Sequence, residues 1–200
     1  MKIILLRHGE TIWNKERRLQ GCQDIPLSPE GREQIRRTGH HLAQRFQKVD
    51  RILTSPLLRA RESARIVAEE LHYTPEAILQ APLFIERNFG AGEGLTYEEA
   101  LAMYPDSDYP GMETLEDLCG RAQEAVNRCV EDYPDQTILV VAHGAIIKAI
   151  LVALTKGRIT YFDETVWINN GSYCLFEYEQ KQWKISIHNS DNHYAPLPLQ

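Results

Sequence analysis

The chain has little of what marks a metal-binding or secreted protein. Its four cysteines, Cys22, Cys119, Cys129 and Cys174, are scattered over 200 residues, and no CxxC pair occurs. Neither a zinc site nor a disulfide framework fits that spacing. Cys119 and Cys129 fall in a helical pattern and read as buried small hydrophobes. The histidines do not supply metal-ligand spacing either. His40 and His41 are adjacent on a helix and diverge, His72 ends a helix, and His188 and His193 follow the last strand. No metal or other cofactor is therefore expected. Basic charge is also scarce: 22 Lys and Arg against 28 Asp and Glu leave a formal net charge of -6. Nucleic-acid binding needs a basic face that displaces phosphate counterions, so an anion site here has to be a local cationic pocket in an acidic body. The first apolar run, Ile3 to Leu6, is cut off by Arg7-His8. It is too short for a signal peptide or a membrane span, and a soluble cytoplasmic protein without membrane partners is expected. No repeat or low-complexity tract stands out.

What is present is globular: 43% apolar and 25% charged residues, in a length that suits one domain over residues 1–200. Ile3 to Leu6 reads as a buried strand, with a polar loop following through Asp24. Ser28-Pro29-Glu30 carries an N-cap, a first-turn proline and a first-turn acid, and so opens a helix to about Gln47. Val49 to Thr54 reads as a second strand. Ala60, Ala64, Val67 and Leu71 share one face of a helix over Leu57 to Leu71. Around Pro75 and Pro82 short extended segments are expected, then a short helix from Thr96 to Tyr104 and a loop over Pro105 to Gly111. Thr114 with Asp117 opens a long helix whose stripe is Leu115, Leu118, Ala122, Ala125, Val126, Cys129 and Tyr133. A strand over Thr137 to Ala142 precedes a helix from Gly144 to about Leu154. Val166 to Ile168, Tyr173 to Tyr178 and Trp183 to Ile187 read as terminal strands, the last two paired through a turn at Gln180-Lys181. The alternation predicts an α/β fold, a three-layer α/β/α sandwich with a mostly parallel central sheet. Ligands of such sheets bind beyond the carboxyl ends of the strands.

Two strands end in the same signal: Arg7-His8-Gly9-Glu10-Thr11 after the first, His143-Gly144-Ala145 after the last long one. The second strand ends in Thr54-Ser55-Pro56, with Arg59 close behind. A single histidine after a strand is usually a loop residue. Three strand ends that gather Arg7, His8, Arg59 and His143 are a different matter, because potentially cationic groups that converge need an anion between them.

These residues closely resemble the histidine phosphatase superfamily, the phosphoglycerate mutase-like family. The likeness runs in order through Leu6-Arg7-His8-Gly9-Glu10-Thr11 with Trp13-Asn14, and Arg18-Leu19-Gln20-Gly21 with Asp24, Pro26-Leu27-Ser28 and Gly31. It continues through Thr54-Ser55-Pro56 with Arg59-Ala60, Glu86-Arg87-Asn88-Phe89-Gly90 with Glu93-Gly94, and Val140-Val141-Ala142-His143-Gly144. It implies a phosphoglycerate mutase-like fold and a set of roles. His8 is the nucleophile, its second ring nitrogen tied to a backbone carbonyl. Arg7 and Arg59 hold phosphoryl oxygens, which suits a planar, permanently charged fork. His143 is a further donor, cationic when phosphate is bound. Glu86 gives a proton to the leaving oxygen and later takes one from water, so it should be partly desolvated with a raised pKa. Glu93 is the rival acid. Asn14, Gln20 and Gly21 are phosphate or substrate contacts, Gly21 by letting the backbone come close. Gly144 opens a helix whose first amides favour an anion, or simply makes room for the turn.

The chain departs from many members in carrying Cys22 where an aromatic follows the Gly21 position; an inert small side chain is the expectation. The mutases of the family carry a long insertion before the second histidine, whereas 57 positions (143 minus 86) separate Glu86 from His143 here. A short cover at about residues 84–114, with Asp106, Asp108 and Glu113, would admit water and disfavour a second phosphate. The expectation is thus a phosphatase of small phosphorylated metabolites. The alternatives are a cofactor-dependent phosphoglycerate mutase and a silent phospho-ligand-binding module. The sequence leaves the oligomeric state open.

Overall fold

The computed structural model describes residues 1–155, 161 and 167–191. Among them six strands form one sheet in the order β3-β2-β4-β1-β5-β6. β1 (Lys2–Arg7), β2 (Arg51–Thr54), β3 (Leu79–Gln80) and β4 (Thr137–Ala142) run parallel; β5 (Tyr173–Glu179) and β6 (Gln182–Ser190) add an antiparallel edge. The central strands are continuous apolar runs because both faces are covered. Ile3, Leu5, Ile138 and Val140 point to one side, where they pack with α5 (Leu115–Asp132) and α6 (Gly144–Leu154). Ile4, Leu6, Leu139 and Val141 point to the other, against α2 (Pro29–Arg45) and α3 (Leu58–Glu70). The period-two alternation of a strand thus makes two cores, one per face, and the three layers follow. Leu139 is fully buried, and truncating it to alanine would cost about 2–5 kcal/mol.

The starts of the helices are set by side chains. Ser28 Oγ accepts from Gly31 N at 2.9 Å, and Thr114 Oγ1 from Asp117 N at 3.1 Å. Thr96 makes a full capping box with Glu99 at the head of α4 (Tyr97–Met103). A one-turn helix, α1 (Ile12–Lys15), stands where the polar loop was expected, capped by Thr11 with Asn14. Gln180 and Lys181, both at positive φ, turn β5 into β6. Two expectations fail at the end of the chain. Trp167 and Ile168 belong to no strand, and Val166 lies outside the described residues. His188 sits within β6, which runs three residues past Ile187, rather than after it; His193 lies outside the described residues. Among the described residues no helix is long and apolar enough to cross a membrane.

Candidate active site

The parallel register sets the site. Arg7 pairs with Ala142 and Thr54 with Val141, so the next residues, His8, Ser55 and His143, emerge side by side on one rim of the sheet. His8 N donates to Ala142 O at 3.0 Å and Ser55 N to Val141 O at 2.9 Å, which extends the ladder by one step past the strands.

His8 is buried. Its Nδ1 lies 2.7 Å from Gly9 O, a carbonyl that can only accept, so Nδ1 carries the ring proton and Nε2 keeps its lone pair. Arg59 Nε donates to that Nε2 at 3.3 Å. Burial, then Arg59 and Arg7, hold the His8 pKa well below the ordinary imidazole value of 6.5. The ring is therefore neutral at pH 7 and fit to attack. Arg59 is 0% exposed, its other nitrogens donating to Gln23 O and Gly21 O at 2.7 Å each. Burial brings its pKa down to about 10, partly offset by Glu86, so it stays cationic. Arg7 donates from Nη1 to Ile168 O at 2.6 Å and has a buried Nε with no partner. The His143 ring lies 5.1 Å from that of His8, and its Nε2 is 2.7 Å from Ser55 Oγ. Burial, then Arg59 and His8, keep His143 neutral as well.

Glu86 arrives on the cover, 9% exposed. Its carboxylate accepts from Arg87 N at 2.9 Å, Ala145 N at 3.1 Å and Ile146 N at 3.3 Å. The amides of Ala145 and Ile146 at the N-terminus of α6 are thus taken by the protein's own Glu86 carboxyl, while Gly144 itself lines the cleft. Gly144 lies beside Arg7, and a Cβ there would make only ordinary contact with the guanidinium, at 3.5 Å. Arg121 braces the Glu86 segment from α5, donating to Leu83 O and Ile85 O and pairing through two nitrogens with Glu113.

Asn14 Oδ1 takes bonds from Thr11 and from Asn170 Nδ2, so its NH2 group is what it can offer the cleft. Gln20 has a buried Oε1 without a partner; a half-turn of its amide would present NH2 there instead. Gly21 lines the cleft and has a further reason to be glycine. Its φ is +51°, and a Cβ would stand 1.8 Å from Glu93 Oε1. It is glycine because of its conformation and because Glu93 packs on it, and it serves the site by turning its carbonyl to Arg59. Glu93 accepts from Cys22 N, Phe89 N and Gln23 Nε2. It ties two loops together and does not line the cleft, so the rival acid falls away. Burial, Glu93 and Glu86 raise the Cys22 thiol above its ordinary pKa, in keeping with an inert side chain.

A cleft of about 150 Å³ joins Arg7, His8, Asn14, Gln20, Gly21, Arg59, Glu86 and Gly144. Its outer wall adds Arg18, Tyr97, Lys148, Tyr161 and Trp167, none of which the sequence singled out for a role. Asp106, Asp108 and Glu113 are not part of that wall, and Glu113 is neutralised by Arg121. The expected acidic cover over the substrate is thus not what the cleft presents. A hollow of about 230 Å³ beside Arg61 and Arg65 is roomier, but it holds no nucleophile. Of the five buried, unpartnered side-chain atoms found among the described residues, Arg7 Nε and Gln20 Oε1 belong to residues that line the 150 Å³ cleft, and His143 Nδ1 belongs to the ring packed 5.1 Å from that of His8. Arg7 and Arg59, with Arg18 and Lys148 on the outer wall, outnumber the single carboxylate of Glu86 and leave the cleft cationic, suited to an anion.

Residues 3–191 match the family described as histidine phosphatase superfamily (branch 1). A Bacillus subtilis (strain 168) protein named "Uncharacterized phosphatase PhoE" is 37% identical, with 96% of each chain covered. "Probable phosphoglycerate mutase GpmB" of Enterobacter sp. (strain 638) is 30% identical over 93% of this chain and 89% of its own. The solved structure of Bacillus stearothermophilus YhfR superposes with a TM-score of 0.86 at 29% identity, covering 96% of this chain and 98% of that one. Motifs, fold and relatives agree: the chain belongs to branch 1 of the histidine phosphatase superfamily.

Proposed function

We propose that the protein is a metal-independent phosphatase of small phosphomonoesters that works through a phosphohistidine at His8. The observation that carries this reading is the His8 ring: its proton is committed to Gly9 O, and its lone pair lies beside Arg59 in a cationic cleft. The substrate phosphoryl group lies between Arg7 and Arg59, whose donors gain strength as charge builds on the equatorial oxygens. His8 Nε2 forms the N–P bond while the ester O–P bond breaks, and protonated Glu86 gives its proton to the departing oxygen. Water then attacks the phosphohistidine, the Glu86 carboxylate takes the water's proton, and the N–P bond breaks to release inorganic phosphate. Tightly bound elsewhere by three amides, Glu86 is pre-positioned for both steps.

Hydrolysis is favoured over isomerisation by the short cover, residues 84–114, which leaves the phosphohistidine open to water. The relative named a phosphatase, PhoE, is also more alike than the one named a probable mutase. All four cysteines are free, as befits a reducing compartment such as the cytoplasm. The test is to supply 3-phosphoglycerate with and without its bisphosphate activator, beside a panel of phosphomonoesters. Phosphate release should exceed isomerisation throughout and persist in chelator; isomerisation in excess would assign a mutase instead.

A further inference from the structure

We propose that Ser55 is a positioning residue that sets the tautomer of His143 and so makes its Nδ1–H a donor to the phosphoryl group. The donor role rests on the phosphatase reading above; the tautomer assignment does not.

Ser55 is 0% exposed, so its hydroxyl cannot turn to water. Among the described residues its Oγ has two neighbours in hydrogen-bond range, His143 Nε2 at 2.7 Å and Leu57 N at 3.4 Å. Leu57 N–H can only donate, so Oγ accepts there. If His143 Nε2 also carried a proton, Oγ would accept twice and its own hydrogen would be buried with no acceptor among the described residues. Burying an unmet polar hydrogen is costly. The arrangement that places every proton has the hydroxyl donating to a bare Nε2. A neutral ring has one proton, and it must then sit on Nδ1.

That Nδ1 is buried and has no partner among the described residues. Its N–H is a donor waiting for an acceptor, in a ring whose centroid is 5.1 Å from that of His8. The two imidazoles therefore play opposite parts through opposite partners. Gly9 O takes the His8 proton on Nδ1 and leaves a lone pair on Nε2 to attack. Ser55 gives a proton to Nε2 of His143 and leaves an N–H on Nδ1 to hold an oxygen. Ser55 touches neither substrate nor phosphorus in this scheme; it acts through His143.

The experiment is two-bond 1H–15N correlation on 15N-histidine-labelled full-length protein in phosphate-free buffer at pH 8. His8 and His143 should both show the Nδ1–H form. In Ser55→Ala the His143 signal should move towards the Nε2–H form while His8 stays as it was, and Ser55→Thr, which keeps the hydroxyl, should restore the wild-type pattern. With a phosphomonoester as substrate, Ser55→Ala should lower kcat about 10- to 100-fold with KM within about 3-fold. That is less than deleting an oxyanion donor outright, because part of the population still presents Nδ1–H. An Nε2–H His143 in the wild-type protein would overturn the proposal, even if Ser55→Ala fails to fold. So would an unchanged His143 tautomer in Ser55→Ala. The expected tautomers in both wild type and Ser55→Ala, but no hydrolysis, would uphold the assignment to Ser55 and overturn the phosphatase reading alone.

Discussion

Lowering the pH should unfold this protein through its own active site. His8 and His143 are both fully buried, and both have folded-state pKa values well below 6.5, through burial first and the nearby Arg59 second. In the unfolded chain each titrates near 6.5. Below that value the unfolded state binds more protons than the folded one, so stability falls as pH falls. The penalty per histidine is RT ln(1 + 10^(6.5 − pH)) while the folded ring stays neutral, about 1.4 kcal/mol at pH 5.5 and almost nothing at pH 8. The pair therefore removes at most about 3 kcal/mol between those two pH values, reached if both folded rings stay neutral, a large share of the stability of a typical domain. Urea unfolding followed by circular dichroism in phosphate-free buffer at both pH values measures it. His41 and His188 are lowered in the same direction by burial, and they remain in every variant. Replacing His8 by Gln should halve the excess, and replacing His143 as well should remove it. The reasoning is refuted if wild type and the double variant lose the same stability between pH 8 and pH 5.5, or if either ring titrates at or above 6.5 in the folded protein.

Further outcomes follow from other contacts. Glu86→Gln keeps an acceptor for the α6 amides but has no proton to exchange, so kcat on alkyl phosphates should fall about 10²- to 10⁴-fold. The loss should shrink on aryl esters with good leaving groups, and equal losses on both would remove Glu86 as the acid. Gly21→Ala meets Glu93 Oε1 and a φ of +51°. It should cost about 1–3 kcal/mol by strain, seen as a lower Tm, and an unchanged Tm would contradict the packing. Lys148 lines the cleft and makes no hydrogen bond or ion pair among the described residues, its ammonium 5.5 Å from the Trp167 ring and 5.7 Å from the Tyr161 ring. Lys148→Met should lower kcat/KM on carboxylate-bearing phosphoesters by about 5-fold more than on neutral ones; equal effects would show that the ammonium does not read the substrate.

The parts of the site that the sequence makes legible are those fixed by the chain's own direction. Arg7-His8 and His143-Gly144 follow continuous apolar strands, and strand ends of a parallel sheet are where ligands sit. The central strands and most helices were readable for the same local reasons: apolar period, N-caps and first-turn proline. What was not readable depends on meetings between distant segments. Glu86 meets amides 59 and 60 residues away, and no spacing rule joins a loop acid to another helix's first turn. The second constraint on Gly21, the Glu93 side chain that fills the space beside it, comes from 72 positions on. Arg121 reads as an ordinary helix cation until its carbonyl partners at Leu83 and Ile85 are seen. Trp167-Ile168 has strand-like composition, yet Ile168 spends its carbonyl on Arg7, outside any strand. The short α1 did carry a signal, Thr11 with Asn14 three residues on, hidden by its four-residue length.

The central claim is that phosphorus bonds to Nε2 of His8 on the way to water. Rapid-quench of the protein with a 32P-labelled phosphomonoester, followed by peptide mass spectrometry under alkaline conditions, tests it most directly. The account predicts an acid-labile phosphoryl group on the peptide bearing His8 within the first turnover, absent from His8→Ala. Phosphate released at the wild-type rate by His8→Ala, or label found on another residue, would contradict it.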